Sequence, residues 1–419
     1  MTTTRIHEPI DLLDGNLYAG DPEPVYAWLR ENAPVYWDPI NEIWGISRHR
    51  DVLEIEKNPQ LYSSARGSRP NIEYPMTMIN MDDPLHQNLR SMVNRQFTPR
   101  AVKQLEQRVR DVVTWLIDGV CEQGFCEVVR DLAAPLPAIM IGDKLGYPPE
   151  LWPKLVYWSE TTMQGGGGPR FSTVESRHAS AEFGEVTWQL IQERRREPRD
   201  DLLSVWCHKE VALRALDGSD RIETRRMTDE EIIHEALLLL DGGAETTRTV
   251  IGSTVLELIR HPDQRALLVA EPWRIGATAV EEFIRWTTPI LNMRRTVTAD
   301  HELHGCTLRA GDQVLLMYSS ANRDPEAFDR PDVYDVTREH NQHVAFGFGT
   351  HFCLGASLAR LEIRVMFEEL LRRIPDMRLA PWADPQIQPA AFARGLKSLR
   401  VEFTPSAPVS PQRAPNPPL

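Results

Sequence analysis

Ten consecutive residues, Phe346-Gly347-Phe348-Gly349-Thr350-His351-Phe352-Cys353-Leu354-Gly355, set one cysteine among three glycines. A helical stretch, 356–373, follows at once, so Cys353 stands just before a helix N-terminus. The unpaired N–H groups and the positive dipole end there favour a thiolate. Glycines at 347, 349 and 355 let the backbone come close to the sulfur and donate hydrogen bonds to it. A metal-bound thiolate needs that support around it.

Three chemistries compete for this cysteine. Zinc would need more Cys or His at short spacing, and only His343 and His351 are near. Cys121 and Cys126 lack the companion pair of an iron–sulfur cluster. A thiol nucleophile would sit among phenylalanines, surroundings too apolar for hydrolysis. A single axial thiolate to a haem iron fits best.

A second chemical feature lies in a long helix. Thr228-Asp229-Glu230-Glu231 reads as an N-cap with a capping box, and Pro262 stops the run near His261. Gly242 and Gly243 fall in its middle, each costing about 1 kcal/mol relative to Ala. Glu245, Thr246 and Thr247 follow, and the leucines at 237–240 before them imply burial. The bland reading is close helix packing across the glycines. The functional reading is a large flat group against the backbone, with Glu245 and Thr246 serving protons or water beside it. A buried Glu with no obvious cationic neighbour is otherwise costly.

The elements that must position these residues are mostly helical. Apolar spacings of three and four mark a helix over 100–120, and 172–195 is amphipathic and Pro-free. Strand signals are short, at 35–37, 44–47, 313–317 and 399–403, with a small hairpin at 305–311. The expectation is one mainly α domain over 1–403 with a minor β portion. Four glycines at 165–168 read as a mobile loop, and the Pro-rich 404–419 as a disordered tail.

Composition excludes several classes. Lys+Arg 47 against Asp+Glu 60 gives a net charge of −13, a poor match for nucleic acid. No apolar run approaches the roughly 20 residues of a membrane span, and the first nine residues do not read as a signal peptide. Five cysteines, an odd number, argue for a reducing, cytoplasmic setting. Cys121, Cys126, Cys207 and Cys306 are expected to be structural bystanders.

The run F-G-x-G-x-x-x-C-x-G resembles the haem-ligand loop of the cytochrome P450 superfamily. Gly242 to Thr247 resembles that family's distal-helix motif, and Glu282-Phe283-Ile284-Arg285 its E-x-x-R motif. Ala321 to Pro325, then Phe328, Pro331 and Arg338, resemble the meander before the haem loop. Four motifs in the family's order cover nearly the whole chain. The resemblance implies the family's single-domain helical prism with a long distal helix.

It also implies heme b with Cys353 as axial ligand, contacted by Gly242, Phe346, Gly347 and Gly355. Burying the two propionates requires cations, and the resemblance assigns His86, Arg90, Arg295 and His351. Glu282, Arg285 and Arg338 are expected to form a buried structural ion cluster. Thr246 would hold oxygen and an ordered water, with Glu245 its acid partner. O2 would be the co-substrate.

No dinucleotide or flavin fingerprint occurs, so electrons would come from a ferredoxin and its reductase. Arg95, Arg100, Arg360 and Arg364 near the ligand loop would form a local basic patch for that partner. The expected substrate pocket is built from the segments 67–78, 157–171, 234–241 and 288–293; its lining, with Met76, Met78, Ile79, Leu237, Leu238, Ile290, Leu291 and Met293, suits a bulky apolar molecule. Stretches at 11–19, 81–84, 129–146 and 285–293 resemble actinobacterial members that oxidise a steroid or cholestenone side chain. Ala244 departs from the Asp or Asn often found there. A polyketide or macrolide tailoring hydroxylase is the alternative substrate reading. A haem sensor or a peroxide-driven peroxygenase would not need the Glu245–Thr246 pair.

Overall fold

Thr228 starts the helix on which the molecule is built. Its side chain accepts from the Glu231 N–H, and Glu231 reaches back to the Thr228 N–H at 2.8 Å. This computed structural model describes residues 9–72, 77–165 and 168–410. We label the helices that frame the site α1 Leu85–Val93, α2 Glu106–Asp118, α3 Pro135–Leu145, α4 Trp152–Gln164, α5 Val174–Arg196, α6 Asp229–Arg260, α7 Val280–Thr287 and α8 Ala356–Arg373. The central α6 has 32 residues, so it runs about 48 Å. The chain is 52% helix and 13% strand, matching the expected mainly α class.

The double glycine in α6 serves two purposes. A Cβ on Gly243 would come 3.0 Å from Ile141 of α3, so this glycine permits close helix packing. A Cβ on Gly242 would meet nothing within 4 Å. Close helix packing thus accounts for Gly243, while Gly242 faces open space.

A five-stranded sheet flanks the helices: β1 Val35–Asp38, β2 Ile43–Ile46, β3 Tyr62–Ser63, β4 Met293–Val297 and β5 Gln313–Leu316, in the order β1-β2-β5-β4-β3. β5 runs parallel to β2 and antiparallel to β4. Its register sets Val314 opposite Arg295, and that pairing fixes where Arg295 enters the interior.

Three expectations need adjustment. The helix expected over 100–120 is two, Pro99–Lys103 and α2, broken at Gln104-Leu105. The hairpin expected at 305–311 pairs His301–Leu303 with Cys306–Leu308 instead. Its reversal takes two left-handed residues, His304 (φ 49°) and Gly305 (φ 76°). Gly311 makes a separate turn, its N–H on the Val297 carbonyl. The tail expected to be disordered from 404 is anchored through Ser410: the Ser406 N–H donates to the Cys121 carbonyl, and the Val409 and Ser410 N–H groups to the Asp118 carboxylate. Residues 411–419, and Gly166 and Gly167 of the glycine loop, lie outside the described residues. No helix among the described residues is long and apolar enough to cross a membrane.

Candidate active site

The loop before α8 and the middle of α6 face each other across a cavity of about 230 Å³. Phe346, Gly347, Cys353, Leu354 and Gly355 line one wall; Leu238, Gly242, Gly243, Thr246 and Thr247 line another. The Cys353 N–H donates to the Phe346 carbonyl at 2.9 Å, which closes the loop. Burial pushes the thiol up, while N–H groups of Gly355 and Ala356 and the charges of Arg90 and Arg360 favour the thiolate. Gly349 adopts φ 68°, and a Cβ there would lie 2.5 Å from the Glu56 carbonyl oxygen. Only glycine lets the loop press so closely on the segment beside it. Cys121, Cys126, Cys207 and Cys306 are all unpaired, the first three buried.

Four basic side chains converge at one edge of the cavity. His86 and His351 have ring centroids 4.3 Å apart, and Arg90 and Arg295 line the same edge. Arg90 donates to the carbonyls of Phe352 (2.6 Å) and Thr350 (3.4 Å). Arg295 reaches Glu56 at 3.2 Å, and His86 reaches Asp83 at 3.3 Å. Burial, then repulsion from Arg295, His86 and Arg90, drives His351 down to about 2. Arg90 and Arg295 thus carry the cluster's positive charge; Arg295 meets Glu56, and Arg90 meets backbone carbonyls.

Thr246 lines the cavity and donates its hydroxyl to the Gly242 carbonyl at 2.8 Å. Glu245 does not line it. This corrects the expectation that the acid stands beside Thr246 with no cation near: Arg248, three residues on along the same helix, pairs with its Oε1. Arg248 also reaches Glu160 of α4 at 3.2 Å and the Leu396 carbonyl at 3.4 Å. Burial raises the Glu245 carboxyl despite Arg248, and its Oε2 is buried without a hydrogen-bond partner.

Below the site, Glu282 and Arg285 are both fully buried and paired twice at 2.8 Å. Arg338 adds a bond to Glu282 at 3.1 Å, as do Asn341 and the Asp335 N–H. Arg285 also donates to the carbonyls of Asn322 and Pro331. The three residues expected to cluster are thus in contact.

Of the expected pocket residues, Met78, Ile79, Leu238, Ile290 and Met293 line the cavity. Leu291 does not: it is buried in a separate core with Leu12, Leu13 and Ala391. Leu237 also lies off the lining, and Met76 is outside the described residues. Arg69 and Met163 fall within the expected pocket segments 67–78 and 157–171 without being singled out there, and sequence reasoning missed Phe97, Ile141, Glu362 and Phe392. Glu362 carried a signal, being nine residues after Cys353 on α8; the others arrive from distant segments. Glu362 is buried and pushed up to about 8 by that burial, with Lys144 opposing.

The expected basic patch is thinner than its sequence suggests. Arg360 is bound twice by Glu281 (2.7 and 2.8 Å), and Arg364 by Glu106 and Glu368. Arg95 and Arg100 are exposed.

These residues fit a haem. One sulfur faces the slot, Cβ atoms at Gly242 and Gly355 would meet nothing within 4 Å, and the edge cations suit two carboxylates. The comparisons with known proteins agree. The family model "Cytochrome P450" matches residues 172–272 and 277–375. A steroid C26-monooxygenase of Mycolicibacterium smegmatis is 43% identical, covering 98% of this chain and 100% of that protein. A methyl-branched lipid omega-hydroxylase of Mycobacterium bovis is 37% identical over 90% of each. Among solved structures, CYP109E1 from Bacillus megaterium in complex with testosterone aligns with a TM-score of 0.81 and 31% identity, covering 92% of this chain and 98% of that one.

Proposed function

The chain belongs to the cytochrome P450 family and is a haem-thiolate monooxygenase; from that premise we propose that its substrate is a steroid of cholest-4-en-3-one type, hydroxylated on the side chain. The observation that carries the substrate is near full-length likeness to steroid C26-monooxygenases at 43% identity. The apolar lining of Met78, Ile79, Met163, Leu238, Ile290 and Met293 is compatible with so large and apolar a molecule.

The reaction consumes O2, two electrons and two protons; one oxygen atom enters a C–H bond and the other leaves as water. A haem would be held at Cys353, with His86, Arg90, Arg295 and His351 available to its propionates, and would supply the oxygen activation. We assign the remaining work to this chain's own groups. The N–H groups of Gly355 and Ala356 hold the Cys353 sulfur as thiolate. The Thr246 hydroxyl faces the slot and holds water there. Glu160, Arg248 and Glu245 form a chain of charged groups from the half-exposed Glu160 inward. Arg248 stays charged and positions Glu245, which delivers a proton when it turns from Arg248 toward Thr246. The apolar walls exclude other water and align the side chain for attack.

Electrons come from a redox partner, and we propose a small acidic ferredoxin with its reductase, in the cytoplasm. The exposed Arg95 and Arg100 support a weak, salt-sensitive encounter. A spectral titration tests the substrate: cholest-4-en-3-one should shift the Soret band from low to high spin, and turnover should add one oxygen to the side chain. A shift with a macrolactone and none with the steroid would reverse the reading in favour of a tailoring hydroxylase.

A further inference from the structure

Besides Cys353 and Tyr318, six side chains able to carry charge line the cavity among the described residues. His86, Arg90, Arg295 and His351 form the edge cluster, and Glu362 comes from α8. The sixth, Arg69, stands apart from both and arrives from the loop after β3. Its backbone carbonyl accepts from Arg294 at 3.2 Å, which pins the loop to β4. Its guanidinium carbon lies 3.3 Å from the centroid of the Phe392 ring. Stacking engages the face of the guanidinium, while its N–H donors lie in the plane, at right angles to the contact. Asp241, one residue before Gly242, is held by the Thr162 hydroxyl at 2.7 Å. Burial pushes its carboxyl up to about 7, with Thr162 and the charge of Arg69 opposing the rise. A planar donor is therefore oriented by an aromatic face and flanked by an acid, within a mostly apolar cavity.

We propose that Arg69 is a specificity-determining residue that donates a hydrogen bond to an uncharged oxygen, a ketone or hydroxyl, on an otherwise apolar substrate. Asp241 already supplies the negative charge near this guanidinium, so a substrate carboxylate would bring a second anion to it. A neutral acceptor avoids that repulsion and uses the in-plane donors. The inference rests on the lipophilic-substrate reading above and narrows it to lipids with a polar, uncharged terminus.

The test uses the holoenzyme at pH 8, where Asp241 is ionised. Soret titrations compare cholest-4-en-3-one with cholest-4-ene, which lacks the oxo group, and a methyl-branched ketone with its parent hydrocarbon. The ketone of at least one pair should bind about 10-fold tighter, the scale of a hydrogen bond to a charged donor. Arg69→Leu should bring that ratio to within about 2-fold, and Arg69→Lys should keep part of it. The reduced carbonyl spectrum of each variant checks that the haem site is intact. A ketone preference that is absent, or that Arg69→Leu leaves unchanged, overturns the inference while a steroid shift still supports the proposed function. A silent steroid pair with an Arg69-dependent branched-ketone pair does the opposite. No shift with any of the four compounds overturns both.

Discussion

Two buried clusters of basic side chains lie on either side of the ligand loop, and they are built on opposite principles. Around Glu282, five donors reach one carboxylate: two from Arg285, one each from Arg338 and Asn341, and the Asp335 N–H. At the cavity edge, His86, Arg90, Arg295 and His351 share only Asp83 and Glu56. The first cluster is complete within the chain. In the second, burial and then repulsion from Arg295, His86 and Arg90 hold His351 neutral. A buried charge left without its partner costs several kcal/mol, and Arg90, held by the Thr350 and Phe352 carbonyls rather than by a carboxylate, is placed to take an anion. Charge compensation, more than burial or residue type, separates a structural ion cluster from a binding one.

The largest effect expected concerns the loop between the clusters. Cys353→His should abolish the thiolate-type Soret band of the reduced carbonyl complex and all turnover; a persisting band would remove Cys353 as the ligand. Next, Glu282→Gln should break the compensated cluster. Removing one member of a buried pair costs about 3–5 kcal/mol, read as a lowered melting temperature of apoprotein and holoenzyme alike. Arg90→Leu should do the reverse. The apoprotein should melt no lower than wild type, while haem transfer to apomyoglobin should quicken about 10-fold, equivalent to one lost charge-assisted contact. If Arg90→Leu destabilises the apoprotein as much as Glu282→Gln does, the contrast between the clusters fails.

The sequence made much of this readable. Cys353 and its glycines occupy ten contiguous residues, and α6 is announced by its cap and its terminating proline, so local rules suffice. The direction of a side chain on a helix is harder. Glu245 was read beside Thr246, yet Arg248 turns it away; the spacing of three was there to be seen. The segment of Arg69, 67–78, is legible as a pocket wall, but the place of that side chain is not. It enters the cavity because Phe392, more than 300 residues further on, gives it a face to stack on. Leu291 fails for the same reason, since the core it joins is built from the first helices of the chain.

Two smaller effects sharpen the picture of α6. Thr246→Ala should keep haem and substrate binding but release reducing equivalents as peroxide, measured as product formed per NAD(P)H consumed. Unchanged coupling would remove Thr246 from proton handling. The smallest effect is a pH slope. Glu235, buried on α6, accepts from the Met78 N–H at 2.6 Å, and burial raises its carboxyl from 4.5 to about 8. The folded state therefore holds this proton more tightly than the unfolded state. Its contribution to stability is full below about pH 4.5 and is lost as pH rises through about 8. Glu235→Gln should flatten the fall in melting temperature between those values, since glutamine keeps the acceptor and cannot ionise.

The anchored segment 404–410 bears on how this enzyme can be engineered. Asp118 binds Arg373, at the end of the helix that begins beside the cysteine, and also takes the N–H groups of Val409 and Ser410. A reductase fused to this chain should be joined after Ser410, so that the anchored segment stays whole. A linker grafted at 403 would strip two donors from Asp118 and disturb the helix that carries the ligand, so a self-sufficient fusion should keep these seven residues as part of the enzyme.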